Sequence, residues 1–248
     1  MIATRVVSAT YPTQCRPCTN CRFQLNPLCP SPGTGIGRNV NRIDTIELAT
    51  EERADLLAFV EQLPSELWDA PTLCTDWRVR DVVAHTVGFD GLTPRELVAR
   101  FLAGRLSVNR INALEVAEFE NHSPSQLCAL VRSHLRPSGL AAGFGGRIAL
   151  TDNMIHQQDI RRPLGMPRDI PARRLTVALD FARTAPLIRG AWRARGLRLE
   201  ADDLDWSAGS GPLVRGPGEA LLMVMAGRSS GLADLSGPGV AALTARVG

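Results

Sequence analysis

Residues 151–165, TDNMIHQQDIRRPLG, decide the fold and hold the most chemically informative side chains of this chain. Asp152 and His156 are four positions apart, a spacing that puts both side chains on one face of a helix. Ile155 shares this face, so the stripe is otherwise apolar and should turn inward. Burying a carboxylate or an imidazole is costly unless it is paired. The pattern predicts a helix over residues 148–160 whose polar side chains bind a common partner.

A second segment, residues 73–85, LCTDWRVRDVVAH, supplies another imidazole at His85. Together, His85, Asp152 and His156 offer two imidazoles and one carboxylate, the number of protein ligands in a catalytic zinc site that keeps a fourth position open. A single ion can bridge them only if the imidazole of His85 lies within about 5 Å of the other two head groups. A simple ion pair between Asp152 and His156 is the alternative interpretation.

Several other polar residues in or near the two segments are interpreted as supporting the fold or the histidines, without a direct part in chemistry. Asp159 can accept a hydrogen bond that fixes the tautomer of His156, or it can pair with Arg161 or Arg162. We interpret both arginines as ion-pair partners within the fold. Cys74 and Cys128 are interpreted as core or loop residues, because neither has an adjacent histidine that would activate the thiol.

Composition excludes several classes of protein. With 44 % hydrophobic and 21 % charged residues among 248, the chain is expected to be globular. No apolar run approaches the roughly 18 to 20 residues of a membrane span, and no secretory signal is evident, so we expect a cytoplasmic protein. The chain has no lysine, which excludes Schiff-base chemistry and a P-loop lysine.

Residues 1–42 differ in character from the rest of the chain. They contain five arginines and no acidic residue, whereas the whole chain has a net charge of only +3. A basic balance confined to one end does not favour nucleic-acid binding. Four cysteines in this segment have a spacing that resembles an iron–sulfur run with its last gap too long: Cys15, Cys18, Cys21 and Cys29. We interpret residues 1–42 as a disordered extension and leave metal binding by these cysteines open.

Periodicity predicts a mainly helical domain followed by a small α/β module. Thr50 is the expected N-cap of a first helix, and Thr93 and Ser123, each followed by proline, are the expected N-caps of two others. A helix over residues 106–120 is expected to bury Leu106, Ile111, Leu114 and Val116. Beyond residue 190, short alternating segments separated by glycines predict strands.

Residues 73–85 and 156–165 together resemble the mycothiol-dependent maleylpyruvate isomerase family, which belongs to the DinB-like metal-binding four-helix bundles of actinobacteria. The similarity covers about residues 45–248, with the two motifs in the same order. It implies a DinB-like bundle at residues 43–190 and a small sterol-carrier-like α/β domain at residues 191–248. Residues 204–206 and 221–228 carry the similarity of this second domain.

The resemblance also implies the residues of the site. Family members hold a divalent metal, usually zinc, on two histidines and a glutamate, which implies His85, Asp152 and His156 as ligands here. Asp152 stands where the founding enzyme has glutamate. An arginine of the second domain assists catalysis in that enzyme, and Arg228 is the candidate that matches it. Arg215 is the second candidate, with a cofactor-binding role.

The activity implied by the resemblance is mycothiol-dependent metalloenzyme chemistry. A metal lowers the pKa of the thiol of mycothiol, and the resulting thiolate attacks a small electrophile that can bear a carboxylate. Addition to a cis double bond, rotation and expulsion give an isomerase, whereas retention of the thioether gives a transferase. The expected partners are this thiol and its substrate, without nucleic acid or membrane. The alternative is a non-catalytic metal-binding bundle with a binding or stress-related role.

Overall fold

The computed structural model describes residues 44–247. The predictions made for residues 1–42, including the cysteines at positions 15, 18, 21 and 29, lie outside the described residues. Within residues 44–247, no helix is both long enough and apolar enough to cross a membrane.

The fold is mainly α-helical with one small sheet, as predicted. The helices, in chain order, are α1 (Thr45–Val60), α2 (Val79–His85), α3 (Pro94–Ala103), α4 (Val108–Ala117), α5 (Pro124–Ser133), α6 (Arg147–Leu164), α7 (Ala172–Thr184), α8 (Gly190–Arg193), α9 (Gly218–Met225) and α10 (Val240–Val247). Short 3₁₀ helices span Ser65–Asp69 and Ser229–Asp234. The strands are β1 (Arg198–Ala201), β2 (Ser207–Gly209) and β3 (Leu213–Gly216).

Helix α6 is the centre of the helical part. It packs against α1, α2 and α7, while α5 packs against α1 and α2. Eleven of its eighteen residues are buried, including polar residues such as Asn153, Gln157 and Asp159. A helix that is buried on most of its surface suits the middle of a bundle, and its buried polar groups then need partners inside the protein.

The C-terminal strands form a three-stranded sheet of order β2–β1–β3. Strand β1 is antiparallel to β2 and parallel to β3. Helix α9 is apolar on nearly all sides, and all of its residues except Glu219 are buried. One hydrophobic core joins residues of α6 and α7 to this sheet and to α9. The division into domains at residue 190 therefore stays a prediction, since apolar packing is continuous across it.

Helix starts followed the predicted capping in two cases and differed in one. Thr93 and Ser123 cap α3 and α5 in capping boxes with Glu96 and Gln126. The first helix begins at residue 45, where the side chain of Asp44 accepts from the backbone N–H of Ile46. Thr50 therefore does not cap α1.

The segment predicted as a helix over residues 106–120 buries less apolar surface than predicted. Leu106 is 72 % exposed and Leu114 is 44 % exposed, so the prediction that they are buried is wrong. The buried residues of α4 are Ile111 and Glu115. Leu114 was expected in the core, but its neighbour Glu115 is buried instead. The partner of this buried carboxylate is described below.

Candidate metal centre

Three side chains from two helices meet at one point of the bundle. His85 is the last residue of α2, while Asp152 and His156 are about one turn apart on α6. Their ligand atoms all lie within 4.8 Å of one another. The centroids of the two imidazole rings are 4.9 Å apart, with the rings nearly perpendicular. Both histidines are buried, whereas the side chain of Asp152 is 40 % exposed, so the cluster faces solvent on the side of Asp152.

His85 is held by a buried carboxylate that the sequence did not reveal. Glu115 of α4 is fully buried, and its Oε2 lies 2.6 Å from Nδ1 of His85. Its Oε1 is buried without a hydrogen-bond partner among residues 44–247. Gly88 provides the space, because a Cβ at that position would lie 1.6 Å from Oε1 of Glu115. With Nδ1 engaged by Glu115, Nε2 is the nitrogen of His85 that remains for a metal.

His156 is held in the same way by a second buried carboxylate. Its Nδ1 lies 2.9 Å from Oδ2 of Asp159, and Nε2 lies 3.5 Å from Oδ1 of Asp152. Arg228 donates from Nε and Nη2 to the two oxygens of Asp159, at 2.9 and 2.7 Å. Asp159 thus adopts the orienting role that was one of its two alternatives. Its arginine partner comes from the C-terminal part of the chain rather than from α6.

The charges of these groups support one another despite burial. Partial burial of the 40 % exposed Asp152 side chain raises its pKa, but the neighbouring His156 imidazole outweighs this effect and lowers the pKa to about 2. Burial also raises the pKa of Asp159, yet His156 and Arg228 hold it below its usual range. Burial lowers the pKa of His156, but the Asp152 carboxylate and the other bonds of the ring raise it well above its usual value. Ionised carboxylates that stabilise an imidazolium also favour a divalent cation.

The loop at residues 72–77 places two further side chains beside the histidines. Oγ1 of Thr72 accepts from the backbone N–H of Cys74 at 3.1 Å and donates to the carbonyl of Trp77 at 2.9 Å, which closes the loop. The indole of Trp77 lies 4.9 Å from the His85 ring and 6.3 Å from the His156 ring, between centroids. Trp77 therefore packs against one side of the imidazole pair.

A backbone hydrogen bond ties this loop to α6. Pro163 has no N–H to donate to the carbonyl of Asp159 four residues earlier. The N–H of Leu73 donates to that carbonyl instead, at 3.0 Å. The residue after Leu73 is Cys74, whose thiol lies 3.1 Å from Oδ2 of the same aspartate. The loop is thus held by both the main chain and the side chain of Asp159.

Cys74 has a neighbouring histidine after all. Its Sγ lies 3.6 Å from Nδ1 of His156, which is 82 residues further along the chain, so the prediction that no histidine adjoins it is wrong. Cys74, His156 and Asp159 are also close enough together to hold an ion. However, Nη2 of Arg228 lies 3.5 Å from Sγ and 2.7 Å from Asp159. Because this guanidinium already supplies a positive charge there, a cation fits better on the Asp152 side of the His156 ring.

The four predicted arginines lie in different surroundings. Arg228 is at the site, bonded to Asp159. Arg215 is exposed on β3, with its nearest carboxylate, Glu200, at 3.9 Å. Among the hydrogen bonds and ion pairs of residues 44–247, none joins Arg215 to the candidate site, so its cofactor-binding role stays a prediction without a supporting contact. Arg162 forms the predicted ion pairs, whereas Arg161 does not pair with a carboxylate in the described part of the chain.

The residues present fit a divalent metal. His85, Asp152 and His156 supply two nitrogen ligands and one oxygen ligand, a set that suits zinc. Ligand atoms around one zinc ion lie about 3 to 3.5 Å apart, so a spread within 4.8 Å requires small side-chain movements. In each histidine, a buried carboxylate holds Nδ1, as is usual for metal-bound imidazole.

Removal of the Glu115 carboxylate tests whether it orients His85. We expect Glu115→Ala to weaken zinc affinity by about 10- to 100-fold, the usual effect of losing a partner of a ligand, and Glu115→Gln to weaken it less. Competition with a chromophoric chelator measures both. Glu118→Ala is the matched control, because Glu118 is an exposed residue at the end of the same helix and pairs with Arg100. Equal affinity in all four proteins would contradict the role of Glu115.

Comparison with known proteins supports the resemblance seen in the sequence. Residues 49–135 match the family model described as the mycothiol maleylpyruvate isomerase N-terminal domain. This range contains His85 and Glu115 and ends before α6. A search of curated protein sequences finds no significant match.

Two crystal structures align with this chain. A histidine-to-alanine mutant of the mycothiol-dependent maleylpyruvate isomerase aligns with a TM-score of 0.50 and 15 % sequence identity, covering 78 % of this chain and 91 % of that chain. The unmutated isomerase aligns with a TM-score of 0.46, 14 % identity and the same coverage. The resemblance predicted from the sequence is thereby confirmed: residues 49–135 match the model of the mycothiol maleylpyruvate isomerase N-terminal domain, and the chain is similar in fold to the mutant isomerase structure.

Proposed function

We propose that this protein is a mycothiol-dependent metalloenzyme, an isomerase or a thiol S-transferase that acts on a small electrophilic substrate. The proposed ligands of its metal are His85, Asp152 and His156, and zinc is the proposed ion. The observation that carries the proposal is the approach of these three ligand atoms to within 4.8 Å, with each histidine held from behind by a buried carboxylate. We also propose that the protein is cytoplasmic. Because the family it resembles is one of actinobacteria, we propose that it comes from that group.

Each group of the site has a distinct task in this proposal. When bound, the metal supplies a Lewis acid that favours the thiolate form of a thiol. Glu115 and Asp159 keep a proton on Nδ1 of their histidines and leave Nε2 as the ligand. The half-exposed side chain of Asp152 marks the side from which thiol and substrate reach the site. Trp77 covers the imidazole pair and limits access of water.

Arg228 belongs to the site through Asp159. Its two bonds to that carboxylate are short, and its pKa is raised above the usual range, because the bonds to Asp159 outweigh burial, which alone would lower it. A substrate carboxylate would have to compete with Asp159 for this guanidinium. We therefore assign Arg228 a positioning role toward Asp159 and His156, in place of direct contact with substrate.

Calorimetric titration with mycothiol tests the proposed function. We expect the zinc-loaded protein to bind the thiol and the chelator-treated protein to bind it much more weakly, because the thiolate needs the ion. A panel of small electrophiles, including cis-configured unsaturated acids, should then show mycothiol-dependent isomerisation or thioether formation.

The outcomes separate the two classes of function. Zinc-dependent thiol binding without turnover of any electrophile would favour the non-catalytic metal-binding bundle. Absence of thiol binding by the zinc-loaded protein would contradict mycothiol dependence. If the protein retained zinc but neither bound mycothiol nor converted an electrophile, the metal centre would stand and the proposed enzymatic activity would be contradicted.

A further inference from the structure

A groove runs along the face of α6 opposite to the candidate metal centre. Arg161 and Arg162 are five and six residues beyond His156, and at 100° per residue they point away from the metal ligands. Two adjoining cavities of about 540 and 500 Å³ lie on this side, and both are lined by Arg161, Met166, Arg168 and Asp169. Cavities of this size suit small organic ligands.

The loop after α6 shapes this groove. Gly165 ends the helix in the left-handed conformation, with φ of 65°. The N–H of Met166 then donates a hydrogen bond to the carbonyl of Arg161. The chain therefore reverses direction and brings residues 166–169 over the side chain of Arg161. Two guanidinium groups, those of Arg161 and Arg168, face the same space as a result.

Arg161 is a cation with no acidic hydrogen-bond or ion-pair partner among residues 44–247. Its guanidinium stacks on the ring of Phe59, with Cζ 3.8 Å from the ring centroid. Its hydrogen bonds go to Oε1 of Gln157 and the carbonyl of Met166, at 3.3 and 3.4 Å, and none within residues 44–247 goes to a carboxylate. Burial, and after it the nearby Arg168, lower the pKa of Arg161 to about 10. Stacking on an aromatic ring holds the plane of the guanidinium in place while its edge remains free to bind.

Arg168 contributes further donors to the same groove. Its side chain is only 8 % exposed and one nitrogen pairs with Glu52. Its Nε and Nη1 are buried without a hydrogen-bond partner in the described chain, and Nη1 lies 3.8 Å from the carboxylate oxygen Oδ2 of Asp55. Unsatisfied buried donors of this kind are rare in folded proteins and call for a partner.

Several of the acids around the groove are paired with arginines other than Arg161. Glu52 is shared by Arg168 and Arg174. Two carboxylates neutralise Arg162, those of Glu219 and Asp234, at 2.5 and 2.9 Å. Among the arginines that line the two cavities, only Arg161 makes no ion pair with a carboxylate of the described residues. At the rim, Asp169 and Asp203 are exposed and would repel a ligand with several negative charges.

We infer that this groove is a second ligand site, which binds a small molecule through a single oxyanion group, a carboxylate or a phosphomonoester, held between Arg161 and Arg168. Arginine donates to such groups in pairs of parallel hydrogen bonds. The body of the ligand would lie in the larger cavity, beside Gln158, whose Oε1 is likewise buried without a hydrogen-bond partner among residues 44–247. The site does not depend on the metal centre or on the proposed enzymatic function.

Titration with acetate and with inorganic phosphate tests the inference, at constant ionic strength set with chloride. We expect both anions to bind and pyrophosphate to bind no better than phosphate, because of the rim carboxylates. Arg161→Gln should weaken binding of acetate and phosphate by about tenfold, the effect of losing charge-assisted hydrogen bonds. Arg173→Gln is the matched control, since Arg173 is an exposed arginine that lies outside both cavities and pairs with Glu51.

Further variants and the metal-free protein make the outcome unambiguous. Arg161→Lys keeps the charge but loses the paired donors, so it should show an intermediate loss and serves if the glutamine variant fails to fold. Chelator-treated protein should bind acetate and phosphate as the zinc-loaded protein does, which separates this site from the metal centre. Absence of binding to the unmodified protein, or equal binding by Arg161→Gln, would overturn the inference.

Discussion

Replacement of His156 by alanine is expected to remove specific zinc binding, with a loss of affinity greater than about a hundredfold. Loss of a partner of a ligand already weakens metal binding by about 10- to 100-fold, and loss of the ligand itself should exceed that. His156 is also the residue that joins Asp152 on one side of its ring to Asp159 on the other. Elemental analysis and chelator competition measure the effect, and mycothiol-dependent turnover should fall with it.

His122→Ala is the matched control for this prediction. His122 is a partly exposed histidine that packs on Phe119, and it belongs to neither group of candidate ligands in the described residues. Circular dichroism should show that both variants keep their helices. Equal zinc content in the unmodified protein and in His156→Ala would contradict the proposed site, and the Asp152–His156 contact would then be a simple ion pair.

The largest expected effect on stability comes from Asp90→Ala. The side chains of Arg53 and Asp90 are each only 1 % exposed, and Nη1 and Nη2 of Arg53 donate to the two oxygens of Asp90 at 3.1 and 2.7 Å. Arg53 also donates to the carbonyl of Thr86, the residue after His85. Loss of one partner of a buried ion pair typically lowers the free energy of unfolding by about 3–5 kcal/mol, because the remaining charge stays buried without compensation.

Urea denaturation followed by circular dichroism measures this change. The control is Glu51→Ala, which also replaces a carboxylate by a methyl group but removes an exposed pair with Arg173. Exposed pairs contribute about 0–1 kcal/mol, so the midpoint of unfolding should barely move. Similar midpoints for Asp90→Ala and Glu51→Ala would show that the buried pair does not stabilise the fold.

Local sequence signals predicted the elements of this fold but not all of its burial. Thr93 and Ser123 start helices as expected because capping depends on residues within one turn. The burial of α4 was predicted correctly at Ile111 and wrongly at Leu114, since periodicity treats Leu114 as core and Glu115 as surface. Glu115 is buried because it bonds to His85, which is 30 residues earlier, and no local pattern reports such a partner.

The three side chains that meet at the candidate site were predictable from the sequence, but the residues that hold them were not. His85, Asp152 and His156 stood out because spacing and resemblance both pointed to them, and the structure brings them together. Arg228 was expected near the site, but its attachment to Asp159 depends on how the C-terminal segment packs on α6. Cys74 was missed for the same reason, since its partners are more than 80 residues away in sequence.

Pro163 has a consequence that extends beyond helix α6. A proline inside a helix removes a hydrogen bond and usually lowers helix stability by about 3 kcal/mol, yet here the released carbonyl of Asp159 is satisfied by the N–H of Leu73. Because this anchor is made by main-chain atoms, it does not depend on which side chain occupies position 73. The position of Cys74 and Trp77 beside the two imidazoles therefore depends on the absence of an N–H group at Pro163. A different side chain at position 73 would keep the main-chain hydrogen bond and would not displace the loop.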